Sequence, residues 1–167
     1  MNRIIKDLSL VENDEWTIIH EESIQPSEIA DKSILPFNLW LTHHEALSSK
    51  SVGVWLSGST DPKLLTPQLF QLPLIALHLD VFTDGRAYSL ATKLREEFKF
   101  TGEIRAFGDV LLDQLFYMQR CGINSYQLKN DNQYDEALSY FTTFNSVYQT
   151  SSNNKSSILL QRIKNKP

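Results

Sequence analysis

The segment LPLIALHLD, residues 72–80, restricts the fold of this chain more than any other. A strand with one face in water alternates apolar and polar residues. A nearly unbroken apolar run of this length instead suits a strand covered on both faces, as in a parallel sheet layered with helices. Other segments fit the same plan. WTIIH (16–20) and SVGVWLS (51–57) are rich in strand-forming residues, and the second closes on the turn signal GSTDP. TGEIRAFG (101–108) turns through Gly102 into a short strand, and NSYQLK supplies another.

Helical patterns lie between these strands. ILPFNLWLTHHEAL predicts a helix beginning after Pro36, with Leu39, Trp40 and Leu47 available to cover a sheet. Residues 86–98 set Ala87, Ala91, Leu94 and Phe98 on one stripe, with most charges off it. DVLLDQLFYMQRCG predicts a helix with Asp109 as N-cap and Gly122 as its C-terminal glycine, and YDEALSYFTTFNSVY predicts a last helix. Strands alternating with such helices imply βαβ crossovers, hence an α/β fold with a mainly parallel sheet. Four or five units are too few for an eight-stranded barrel, so the expectation is an open or half-barrel, TIM-like arrangement. A flavodoxin-like doubly wound sheet is the alternative. One domain is expected over residues 1–150, followed at 151–167 by a polar linker and a short basic tail.

Composition removes several function classes. A net charge of −4 and a pI near 5.5 provide no basic field for nucleic acid. Cys121 is the only cysteine, which excludes an intramolecular disulfide and a multi-cysteine cluster within one chain. No apolar stretch reaches signal-peptide or membrane-spanning length, so the expectation is a soluble, cytoplasmic protein with no membrane partner. Neither a GxGxxG turn nor a phosphate-binding P-loop occurs. The cofactor therefore stays unassigned, and a colourless protein is expected.

Candidate functional residues cluster after two strands. In parallel sheets ligands sit beyond the carboxyl ends of strands, next to helix N-termini. FTDGR leaves one strand there and FGD another, which brings Asp84, Gly85, Arg86, Gly108 and Asp109 to one side of the sheet. On the following helix, Asp109, Asp113, Tyr117 and Arg120 share a polar sector opposite Leu111, Leu115 and Met118. Arg86 and Arg105 can neutralise a small anionic metabolite. Tyr88, Ser89, Gln114, Tyr117 and Arg120 can orient it, while Gly85 and Gly108 admit backbone N–H groups. Asp84, Asp109 and Asp113 are candidate acid–base residues or Mg²⁺ ligands. The simpler reading of Asp84 and Asp109 is helix capping. That of Cys121 and His78 is packing, and the adjacent pair His43 and His44 diverges by about 100° on a helix.

The pieces FTDGR-x-YS, LRE and TGE-x-RA-x-GDVL-x-DQL-x-YM-x-RCG, followed more loosely by FTTFNSVYQ, cover most of residues 51–149. They resemble the central signature of an uncharacterised bacterial family associated with an oxidoreductase role in sulfite reduction and with genes of assimilatory sulfate reduction. Ala87 stands where that family commonly has a glycine. The resemblance implies a sulfur-assimilation protein, either an oxidoreductase or an accessory protein. Sulfite reductase, or another protein of that pathway, is then the expected partner, docked through the acidic surface and the basic tail.

Overall fold

The computed structural model describes residues 2–81 and 85–141. The strands are β1 (Ile4–Lys6), β2 (Ser9–Val11), β3 (Thr17–Ile18), β4 (Ser33–Pro36), β5 (Gly53–Ser57), β6 (Leu74–Leu79), β7 (Glu103–Gly108) and β8 (Ser125–Tyr126). Among the described residues the α-helices are α1 (Phe37–His43), α2 (Arg86–Glu96), α3 (Leu115–Arg120) and α4 (Tyr134–Tyr140). The fold is mixed α/β. Among the described residues the strands form one sheet, in the order β2-β1-β8-β7-β6-β5-β4-β3. β3 to β8 are parallel, and β1 joins both β2 and β8 antiparallel. The parallel strands follow one another in chain order, so the sheet contains no reversal of the kind that divides a doubly wound fold.

The connection from β2 to β3 requires the sheet to curl. These strands are its two edges. Laid flat, eight strands would separate them by roughly 34 Å. The segment from Val11 to Thr17 reaches at most about 22 Å. The sheet therefore bends into a half-barrel, and residues 12–16 form a strap across its open side. Asp14 on the strap donates its N–H to the carbonyl of Asn2 at 2.8 Å, and Trp16 accepts from the Asn2 amide at 2.7 Å.

Alternation along the strands assigns the two faces. On β6, Ile75, Leu77 and Leu79 enter the main core with Ala87, Leu90, Ala91 and Leu94 of α2. Leu74 and Ala76 face the other way, into a smaller cluster with Ile34 and Phe107, against which Trp16, Ile18 and Trp55 pack. The continuous apolar run thus reflects burial on both faces, with His78 as its polar interruption.

Beneath the strap lies a layer of charge. Arg105 on β7 is fully buried. It grips Asp14 with both terminal nitrogens, at 2.5 and 3.1 Å, and donates Nε–H to Glu103 at 2.9 Å. Lys6 completes the row at 2.6 Å from Glu103. Burial pushes the Glu103 carboxyl up, but Arg105 and the hydrogen bonds from Lys6 and Arg105 outweigh it and hold the group below the usual carboxylate range.

Several expectations change in detail. The N-terminal hairpin β1–β2 and the strand β4 carry no sequence signal of their own, since Ile34 to Pro36 read as the approach to a helix. α3 begins at Leu115, after a 3-10 turn at Leu112–Gln114, and Leu111 is exposed rather than core-facing. Asp109 accordingly caps no helix: the residue at the turn's N-cap is Leu111, without a side-chain bond. Gly122 does end α3, at φ +99°, where an added Cβ would strike Arg95 Cγ.

Candidate functional site

The chain ends its parallel strands in a depression of about 590 Å³ on the concave side, bounded by the carboxyl ends of β6 and β7 and the residues after β8. Its lining includes His20, His78, Phe107, Gly108, Gln127 and Lys129. Its walls mix the rings of His20, His78 and Phe107 with polar side chains, and concave sites of this size are where proteins commonly hold small molecules.

The side chains reach it through strand periodicity. Trp55 pairs in register with Ala76, and His78 pairs with Phe107, so Trp55, His78 and Phe107 stand on the same concave face. His78 and Phe107 stack at 4.7 Å and 23°, and the Trp55 ring meets both edge-on, at 5.6 and 6.1 Å. The indole is fixed by its N–H donating to the Ile19 carbonyl at 2.8 Å. Over this triangle lies the exposed imidazole of His20, with ring centroids 6.2, 6.5 and 6.3 Å from Trp55, His78 and Phe107.

His78 is oriented from behind. Its Nδ1 lies 2.9 Å from Asp80 Oδ1. A neutral imidazole that donates from Nδ1 keeps a lone pair on Nε2, the arrangement in which a histidine can take up a proton or coordinate. Gly108, at φ +95°, lets β7 turn off beside this ring. A Cβ there would stand 2.5 Å from the Leu79 carbonyl oxygen and 2.9 Å from His78 Cδ2. The same turn uses its own donors, since Asp109 N–H bonds Leu79 O and Val110 N–H bonds Gly108 O, both at 2.9 Å. It therefore offers a ligand clearance rather than a cradle of free amides.

The residues singled out in the sequence separate into four places. Gly108 lines the depression, and Asp109 stands next to it, its Oδ1 3.4 Å from the Nζ of the lining residue Lys129. Arg105 lies below it, held by Asp14 and Glu103. Tyr88 and Tyr117 meet edge-on at 5.4 Å between α2 and α3, and Tyr88 lies near Cys121 and Asp113. Burial first, then those neighbours, pushes the Tyr88 phenol up to about 12. Burial also pushes the Cys121 thiol up, away from nucleophilic character. Arg120 lies within reach of Cys121 as well. Gln114, at the end of the 3-10 turn, precedes α3. Gly85, Arg86 and Ser89 are exposed at the start of α2. Asp84, all of the family-like closing segment after Phe141 and the basic tail lie outside the described residues.

Sequence reasoning missed His20, Trp55, His78, Phe107, Gln127 and Lys129 as a group. One signal was available: His78 and Asp80 stand two apart at a strand end, which places both on one face. Nothing local marks His20 or Asn2, because the curl of the sheet brings them there. Among the described residues no three His, Cys, Asp or Glu side chains gather as a metal site, and no helix is long and apolar enough to cross a membrane. Residues 53–159 match the model of a family described as bacterial protein of unknown function, DUF934. No curated protein and no solved structure matches the chain.

Proposed function

Because the chain belongs to that bacterial family of unknown function, we propose its role from its own site: it binds a small anionic metabolite of sulfur assimilation at the concave mouth of an open relative of the (β/α) barrel. The supporting observation is convergence. Side chains from the ends of β6 and β7, from the segment after β8 and from the loop after β3 line one depression, with the Trp55 ring of β5 packed against His78 and His20 beside it. Such convergence at the carboxyl ends of parallel strands is where α/β proteins hold ligands.

Lys129 supplies the positive charge within the lining. The acid–base role expected of Asp84, Asp109 or Asp113 passes to His78, which Asp80 orients. The pathway assignment rests on the sequence resemblance, with the protein serving as an oxidoreductase or as an accessory to one. A deletion strain should grow on cysteine but fail on sulfate and sulfite. A plasmid copy carrying His78→Gln should fold and yet not restore growth. Equal growth of the deletion strain on all three sulfur sources would remove the pathway assignment, and full complementation by His78→Gln would remove the site.

A further inference from the structure

The aromatic triangle defines more than a place. Building on the site proposed above, we infer that its ligand carries a planar heteroaromatic ring with an N–H or amino donor, seated over Trp55, His78 and Phe107 where the His20 imidazole now rests.

The first observation is the rings themselves. Phe107 is 4% exposed and closes the floor, whereas Trp55 and His78 are only partly covered. Rings so arranged favour a flat π-system over an aliphatic group, because face and edge contacts are both on offer. His20 occupies a position nearly equidistant from all three. An exposed imidazole on a loop is thus the chain's own stand-in for a ring, and withdrawing it would open a seat of ring dimensions.

The second observation is Gln127, which also lines the depression. Its Nε2 reaches Asn2 Oδ1 at a long 3.4 Å, and its Oε1 is buried with no hydrogen-bond partner. A buried acceptor left unmatched is unfavourable, so a ligand that brings a donor to it gains both the bond and the relief of that state. Hydrocarbon rings and bare oxyanions cannot supply such a donor. A nitrogen heterocycle with a ring N–H or an amino group can.

The test follows Trp55 fluorescence in the intact protein, assigned by difference against Trp55→Phe, while adenine, benzene, ribose 5-phosphate and sulfite are titrated. Adenine should change the emission with saturation, and benzene at equal concentration should bind on the order of tenfold more weakly. Trp55→Ala should weaken adenine binding by about tenfold, as measured by calorimetry. Gln127→Leu should abolish the preference for adenine over benzene. His20→Ala, which vacates the seat, should tighten adenine binding. Loss of adenine binding in His20→Ala would overturn the seat. Binding of sulfite or ribose 5-phosphate without adenine would overturn the ring and leave the mouth as an anion site. If Trp55 responds to none of the four, the ring inference falls, and the complementation experiment with His78→Gln decides the site independently.

Discussion

The two ends of the parallel sheet are built from similar residue types and finish differently. At the amino end, Arg95 of α2 donates to the carbonyls of Gly122, Phe100 and Gly102 at 2.7–2.9 Å and reaches Asn124 Oδ1 at 3.2 Å. Asn124 in turn bonds Asp7 through side chain and backbone. The guanidinium of Arg95 and the amide of Asn124 are thus matched within the chain. At the carboxyl end, Gln127 Oε1 stays unmatched, and His78 and Trp55 remain partly open. An end whose polar atoms are satisfied holds strands in place, and one with surplus valence is arranged for something else to complete it. In closed (β/α) barrels the same division separates the stability face from the catalytic face.

The largest effect should come from the charged layer between the ends. Arg105→Met leaves Asp14 buried without its cation and Glu103 with Lys6 alone, and should destabilise by about 3–5 kcal/mol. Calorimetry should then show melting lowered by on the order of 10 °C. Glu103 adds a pH dependence. Because its folded pKa lies below the ordinary value, its contribution is complete above the unfolded pKa and disappears as pH falls through the folded one. Wild-type stability should decline below about pH 4.5, and Glu103→Gln should flatten that part of the curve.

Next in size, Arg95→Ala removes charge-assisted bonds to several carbonyls and should cost about 2–3 kcal/mol. Growth complementation should fall only as far as stability does. Gly108→Ala sharpens the contrast from the other end. Left-handed backbone and collision with Leu79 and His78 should cost about 1–3 kcal/mol, while complementation drops out of proportion because the imidazole is displaced. Equal ratios of lost function to lost stability in these two variants would erase the distinction between the ends. Smallest of all, Arg86→Lys at the exposed start of α2 should shift stability by less than about 0.5 kcal/mol. Sharp loss of complementation in that variant would return the site to the FTDGR turn.

Much of the scaffold was legible because it is local. The run at β6, the stripe of α2, Pro36 before α1 and Gly122 after α3 each announce themselves within a few residues. The candidate site was legible as an end of the sheet, not as a set of side chains. Arg105 reads like any arginine until Asp14, distant in sequence, lies across it. Asp109 looks like a cap, but Val110 and Leu111 extend the chain before it turns, so helix geometry cannot begin there. His78 reads as core because its strand neighbours are apolar, and only the register with Phe107 places it on the concave face.

The pairing of β1 with β8 carries a consequence for how the molecule is made. During synthesis β3 to β7 can join in the order they emerge, each strand meeting the one before it. Ile5 must wait for Tyr126, and the strap cannot settle on Arg105 until that wait ends. The growing chain thus carries an unpartnered N-terminal hairpin until Tyr126 is made, and from Arg105 to that point a guanidinium without its Asp14. A ribosome stalled before Tyr126 should display both, and protease should cut residues 2–16 in that nascent chain while sparing them in the finished protein.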